Sequence, residues 1–217
     1  MKNAFIIMIQ FASLGLVAQI SGLDLTVSGC MLIDPYLSSN DQMLSGQSVR
    51  DFSTGYSNLE SNSLSGVFEA DYTLFNKEWL HLRGRMSYGQ LSASNEYQYY
   101  NSSLTSISGG AGIDVLRFFN LRIMKEFELQ AYAETGLALY SSKMWFALDN
   151  SLQNIVEGIS PQVVTGVQLK YNALDKIVLS AAPEVNYIAT DALDGWDEEG
   201  FASTFLGVKL GIGLSLN

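Results

Sequence analysis

The sequence predicts an all-β fold, an eight-stranded antiparallel up-and-down transmembrane β-barrel. Three observations carry this. Residues 206–216 alternate without exception: Leu206, Val208, Leu210, Ile212, Leu214 and Leu216 are apolar, and Gly207, Lys209, Gly211, Gly213 and Ser215 between them are small or polar. That period of two is a strand with one apolar face. Seven further segments alternate in the same way, and the connectors between them run long, short, long, short, long, short, long, the pattern of barrels with short turns at one end and longer loops at the other. Finally, only 16% of the chain is charged while 47% is hydrophobic, against a usual charged share of about 25%. No apolar run after the N-terminus is long enough for a spanning helix, so the apolar surface is spread over strands.

At 217 residues the chain is one domain. Residues 1–18 read as a secretory signal, with Lys2 as the charged start, an apolar stretch from Ala4 to Val17 and a small-residue cleavage site in Leu16-Val17-Ala18-Gln19. Cleavage after Gln19 fits equally well, and the barrel domain is expected over residues 19–217. The net charge of −10 argues against nucleic acid, because phosphate binding needs basic patches. The single cysteine, Cys30, rules out an internal disulfide framework and a multi-cysteine zinc site. Val27-Ser28-Gly29-Cys30 looks like the site of a lipidated cysteine. Asp24 separates it from the apolar stretch, however, and the same residues fit strand alternation.

The strands are expected in order. The first has Leu23, Leu25, Val27, Gly29, Met31 and Ile33 on its apolar face and ends at Asp34-Pro35-Tyr36; a polar connector covers residues 37–62. The second, about residues 63–74, alternates Leu64, Gly66, Phe68, Ala70, Tyr72 and Leu74 with Ser65, Val67, Glu69, Asp71 and Thr73. After a tight turn through Asn76-Lys77-Glu78, the third covers residues 79–90, with His81, Arg83, Arg85 and Ser87 on its polar face. Residues 91–105, with Glu96, Tyr97, Tyr99 and Tyr100, read as a loop. The fourth strand spans residues 106–116 and carries Asp114; a basic connector with Arg117, Arg122 and Lys125 follows. The fifth, residues 126–140, sets Glu128, Gln130, Tyr132 and Glu134 on one face, and residues 141–160 read as another loop. The sixth and seventh cover residues 162–171 and 177–188. Pro183 sits on the apolar face of the seventh and calls for a local bulge, since proline removes a ladder donor. The loop 189–200 precedes the last strand. A last strand left as a bare edge invites aggregation, and pairing it with the first closes the barrel.

Aromatic residues gather near strand ends, Phe75, Trp79, Phe118 and Phe119 at the turn end and Tyr36, Tyr88, Tyr187 and Phe201 at the loop end, as in interfacial girdles. On this pattern the chain resembles the small eight-stranded outer-membrane barrels, the family of the outer membrane protein A transmembrane domain and its porin-like relatives. The final strand is similar to the assembly signal of that family, with leucines at Leu214 and Leu216 where aromatics are usual. The resemblance implies a Gram-negative outer-membrane location and contact with membrane lipid and lipopolysaccharide. It also implies handling by the barrel-assembly machinery during insertion, and association with other outer-membrane proteins. No periplasmic peptidoglycan-binding domain is expected after the barrel, so the anchoring role of larger relatives is not implied.

Alternation alone does not say which face is outside, since soluble ligand-carrying barrels also alternate. The polar face is rich in glycine, serine and alanine (Ser87, Gly110, Gly112, Gly136, Ala138, Gly166), which suits a cramped interior better than a wet exterior. Its charges also match. Folding about Lys77 sets Asp71 opposite Arg83, Glu69 opposite Arg85 and Thr73 opposite His81; a one-residue slip would put charges into lipid, whereas a slip of two would keep the faces aligned. Buried charges need partners. An interior ion-pair network is therefore expected from Glu69, Asp71, His81, Arg83, Arg85, Asp114, Glu128, Glu134, Lys170, Glu184 and Lys209.

An eight-stranded interior is just wide enough for its own side chains, so a wide channel is not expected; a residual pore would prefer cations, because the interior acids outnumber the bases. The only histidine is His81, and the nearest same-face serine, Ser87, lies roughly 20 Å along the strand at ~3.3 Å per residue. No catalytic residues and no cofactor are assigned, and a lipid-modifying enzyme is disfavoured. The loop acids Asp191, Asp194, Asp197, Glu198 and Glu199 are weak candidates for a Ca²⁺ or Mg²⁺ site, but their spacing does not match the calcium-loop motif. Trp196 and Phe201 flank them and are candidates for partner docking. The expected role is a structural or accessory subunit whose loops meet a partner, with a small-solute or cation conduit as the alternative.

Overall fold

A computed structural model of the protein describes residues 22–33, 64–74, 78–94, 98–121, 126–146, 151–174, 176–190, 193 and 203–216. Eight antiparallel strands pair in chain order: β1 (Leu23–Ile33), β2 (Leu64–Thr73), β3 (Leu80–Ser94), β4 (Gln98–Asp114), β5 (Phe127–Phe146), β6 (Leu152–Leu174), β7 (Ile177–Ile188) and β8 (Ser203–Leu216). β1 pairs with β8 from Leu23↔Leu216 to Ile33↔Leu206, and the barrel is closed. The expected signal segment, residues 1–18, lies outside the described residues, as do Tyr36, Phe75, Glu96, Tyr97, Arg122 and Lys125.

The outward face is apolar and the inward face polar. Along β8, Leu210 is 64% exposed while its neighbour Lys209 is 0% exposed. Val27, Phe68, Met86, Ile107, Leu137, Val167 and Leu179 continue the exposed apolar belt around the other strands. A soluble barrel would have the reverse arrangement, so this one is built for lipid. The β2–β3 register puts Asp71 opposite Arg83, Glu69 opposite Arg85 and Thr73 opposite His81. At the turn end, Trp79 packs edge-on against Phe118 (5.1 Å between centroids), and Phe127 stacks on Tyr171 (4.9 Å). Tyr88 and Tyr187 are exposed toward the loop end.

Three expectations need correction. Residues 91–105 and 141–160 are largely strand rather than loop: β3 pairs with β4 out to Ser94↔Tyr99, β4 with β5 out to Gln98↔Phe146, and β5 with β6 out to Trp145↔Leu152. A membrane strand needs about 9–11 residues, whereas β5 has 20 and β6 has 23. A four-stranded sheet, β3 to β6, therefore rises beyond the membrane on the loop side. Serines on both faces (Ser102, Ser103, Ser141, Ser142) remove the alternation there, and pairing with neighbours holds the strands instead. Second, the end of the expected fourth strand is a helical turn, α1 (Val115–Phe118), capped by Asp114. Third, Pro183 causes no register shift: it stays opposite Val208 on β8, and the β6–β7 register is the same on either side of it, at Gly166↔Glu184 and at Leu169↔Ala181. Pro183 faces outward. The β6–β7 irregularity falls instead between Asn172 and Leu174, beside the short turn.

Candidate functional site in the barrel lumen

The inward positions build a single charged layer in the turn-side half of the lumen. Arg83 on β3 is its centre. Its Nε donates to Glu134 (2.9 Å), Nη2 to Glu69 (2.9 Å), and Nη1 to Asp71 (3.3 Å), Gln168 (2.7 Å) and Gln130. The guanidinium also lies 4.1 Å from the centroid of the Tyr132 ring, the geometry of a cation–π contact. Arg85 reaches across to β7 and grips Glu184 with both terminal nitrogens, 2.8 and 2.7 Å, the bidentate form that is strongest for this pair. Glu184 also accepts from the Tyr132 hydroxyl (2.9 Å), Asn186 (3.0 Å) and the Cys30 thiol (3.5 Å).

Two lysines complete the layer. Lys209 on β8 contacts Glu69 and stands 3.8 Å from Glu184. Lys170 on β6 sits among Asp71 (2.8 Å), Asp24 (3.1 Å) and Glu128 (3.3 Å). Ser108 on β4 donates to Glu134 (3.0 Å). With Asp24 on β1, every strand of the barrel supplies a side chain to the layer. Tight room for it is made by glycine: a Cβ at Gly166 would lie 2.8 Å from the Tyr132 hydroxyl and 2.6 Å from the Pro183 carbonyl.

Of the site residues named from the sequence, Glu69, Asp71, His81, Arg83, Arg85, Glu128, Glu134, Lys170, Glu184 and Lys209 stand together in this layer. Asp114 is equally buried but does another job. Its Oδ1 accepts from the backbone N–H groups of Leu116 and Arg117 (3.0 and 3.3 Å), and its Oδ2 pairs with the Arg117 guanidinium (3.1 Å), a helix cap at the barrel floor. Face-to-face register also does not dictate partners: Glu69 stands opposite Arg85 but bonds Arg83. Asp191, Asp194, Trp196, Asp197, Glu198, Glu199 and Phe201 lie outside the described residues.

Sequence reasoning missed the loop-side half of the lumen. There apolar residues share the inward positions with serines and amides: Leu32, Val67, Leu91, Leu104, Met144, Ile188 and Phe205 form a buried cluster with Cys30 and Ala138. Leu193, from the β7–β8 connector, packs into it and is 4% exposed. Its carbonyl accepts from the Ser142 hydroxyl (3.3 Å) and from Ser102. The signal was present in sequence as apolar residues on the otherwise polar parity. Between this plug and Arg85, a void bounded by Leu32, Leu104 and Phe205 has room for about one water.

A closed barrel of an even number of antiparallel strands, apolar outside and ion-paired inside, is the design of bacterial single-chain outer-membrane proteins. The protein is a small outer-membrane β-barrel, located in the bacterial outer membrane. No protein-family model and no curated protein matches the chain. Among solved structures it is similar to Ail, the attachment invasion locus protein of Yersinia pestis, at 13% identity and TM-score 0.46, covering 90% of this chain and 99% of that one. It is also similar to a major outer membrane protein from Thermus thermophilus (10%, TM-score 0.49, covering 88% and 98%). A third is the outer membrane protein OprG from Pseudomonas aeruginosa (10%, TM-score 0.45, covering 90% and 96%).

Proposed function

We propose that the protein is a sealed, non-enzymatic barrel that serves as a structural or accessory subunit of the outer membrane and presents its raised β3–β6 sheet and loops to a partner at the cell surface. The observation that carries this is the double seal of the lumen. A charged layer tied to all eight strands closes the turn-side half, and the Leu193 plug closes the loop-side half. Such a lumen works against the conduit alternative. Dissolving the layer would strand buried charges, which are costly without partners.

The lone imidazole, at His81, is 1% exposed and faces the lumen among carboxylates, with its back to the lipid that a lipid-modifying enzyme must reach. Lipid and lipopolysaccharide meet the apolar belt, while Ile155 and Ile159 on β6, about half-exposed or more, lie on the raised sheet. Residues 1–18 act as the secretory signal in this reading.

The test is in-membrane photocrosslinking from positions 155 and 159, with a lipid-belt position, 210, as control. A discrete protein adduct from the raised sheet, absent from position 210, supports the accessory role. Adducts to lipid alone at all three positions contradict it.

A further inference from the structure

Within the charged layer, one pair of buried polar atoms faces each other with no hydrogen bond between them. His81 Nδ1 lies 2.9 Å from Asp71 Oδ1. A carboxylate can only accept, so Nδ1 carries a hydrogen, and in the neutral imidazole Nε2 then presents a bare lone pair. That nitrogen has no hydrogen-bond partner among the described residues, although His81 is 1% exposed. It points at Glu128 Oε1, 3.7 Å away, which is likewise a buried atom without a hydrogen bond. With the ring neutral these are two acceptors face to face, which repel unless a cation lies between them; Lys170 Nζ approaches Glu128 Oε1 from another side, at 3.3 Å.

We propose that His81 Nε2 and Glu128 Oε1 are the protein ligands of a divalent transition-metal site of the zinc type, clasping β3 to β5 at the turn-side mouth of the lumen. Asp71, His81 and Glu128 each offer an atom within 4.8 Å of the others. Imidazole nitrogen and carboxylate oxygen bind zinc at about 2.0–2.2 Å, so two such ligands at a tetrahedral angle stand about 3.4 Å apart. The observed 3.7 Å needs only a small opening of that angle. Asp71 on the far nitrogen is the carboxylate that orients and strengthens a metal-bound histidine.

Charge agrees with this. Asp24, Asp71 and Glu128 surround Lys170, leaving local acid in excess. Lys170 approaches the same Glu128 oxygen (3.3 Å) but has shorter contacts to Asp71 and Asp24, so it can yield Glu128 and stay paired. The Asp24 side chain is 19% exposed, which opens a route for the ion and for water ligands from the turn side. Imidazole with carboxylate suits zinc or nickel rather than calcium or magnesium.

Because the chain has one histidine, its imidazole nitrogens are a site-specific probe. The experiment uses the untagged, folded, chelator-treated protein in detergent micelles, titrated with Zn²⁺ and followed by ¹⁵N NMR of the imidazole and by calorimetry. The expected result is uptake of about one Zn²⁺ per barrel, with the Nε2 resonance moving and the Nδ1–H retained. The near-isosteric Glu128→Gln should weaken binding at least ~10-fold while keeping the heat-modifiable migration of a folded barrel; orienting groups alone are worth about 10–100-fold, which sets the same scale for Asp71→Asn. Imidazole signals unchanged in excess Zn²⁺, or both nitrogens protonated throughout, would overturn the site. So would binding of equal strength in Glu128→Gln, because the ion would then sit elsewhere.

Discussion

Arg85 on β3 and Glu184 on β7 meet across the lumen in a two-point ion pair, Nη1–Oε2 at 2.8 Å and Nη2–Oε1 at 2.7 Å. Their strands are not neighbours in the sheet, so the pair braces opposite walls of the barrel. Removing one partner leaves the other charge buried alone, which costs about 3–5 kcal/mol. Glu184→Met should therefore lower stability by that amount in urea unfolding followed by tryptophan fluorescence. The double variant Arg85→Met/Glu184→Met should recover part of the loss, with a coupling energy of about 2–3 kcal/mol. Additive losses would mean that the two side chains act separately.

The apolar belt has a definite height. Leu210 lies mid-strand on β8, whereas Ile155 lies on the raised part of β6, and both are exposed. An arginine at the bilayer midplane costs about 2–4 kcal/mol, falling to about 0–1 near the interface. Leu210→Arg should be costly and Ile155→Arg nearly neutral when unfolding is measured in lipid vesicles. Equal costs at both positions would put the raised sheet inside the membrane.

Cys30 is a built-in reporter of the loop-side seal. It is buried in β1 and belongs to the cluster that Leu193 closes. A polar thiol reagent should leave the folded protein unlabelled and label it on unfolding. Leu193→Asp should raise the labelling rate of the folded barrel by at least ~10-fold, since an unpaired charge is not tolerated in an apolar cluster. An unchanged rate would mean that Leu193 does not guard the lumen.

Gly136 marks a close approach of two strands. A Cβ there would lie 2.0 Å from the Ile107 carbonyl oxygen and 2.6 Å from Ser108 Cα, and backbone cannot yield as a flexible side chain can. Gly136→Val should abolish the heat-modifiable migration that marks a closed barrel on denaturing gels, whereas Gly29→Val, whose Cβ meets nothing within 4 Å, should retain it.

Most of the barrel was legible in the sequence where one physical constraint acts on every second residue. β8 reads cleanly because lipid demands Leu210 and Ile212 while the lumen demands Lys209 and Gly211. The parity of the β2–β3 pairing follows from keeping Glu69, Asp71, Arg83 and Arg85 out of lipid; the choice among registers of that parity does not. Outside the membrane that constraint lapses. Ser102, Ser103, Ser141 and Ser142 read as loop although they lie in paired strands. Contacts across the lumen were also beyond parity: alternation puts Arg85 inside, but only closure brings it to Glu184. Asp114 has inward parity, yet the helical turn that follows it takes its carboxylate as a cap. Leu193 carries no periodic signal, because one side chain plugging a mouth leaves none.

Planar-bilayer recording of the purified protein tests the sealed lumen most directly. A sealed wild-type barrel gives no stable conductance steps. Reproducible, cation-selective openings from the wild-type protein would contradict the seal and favour the conduit reading.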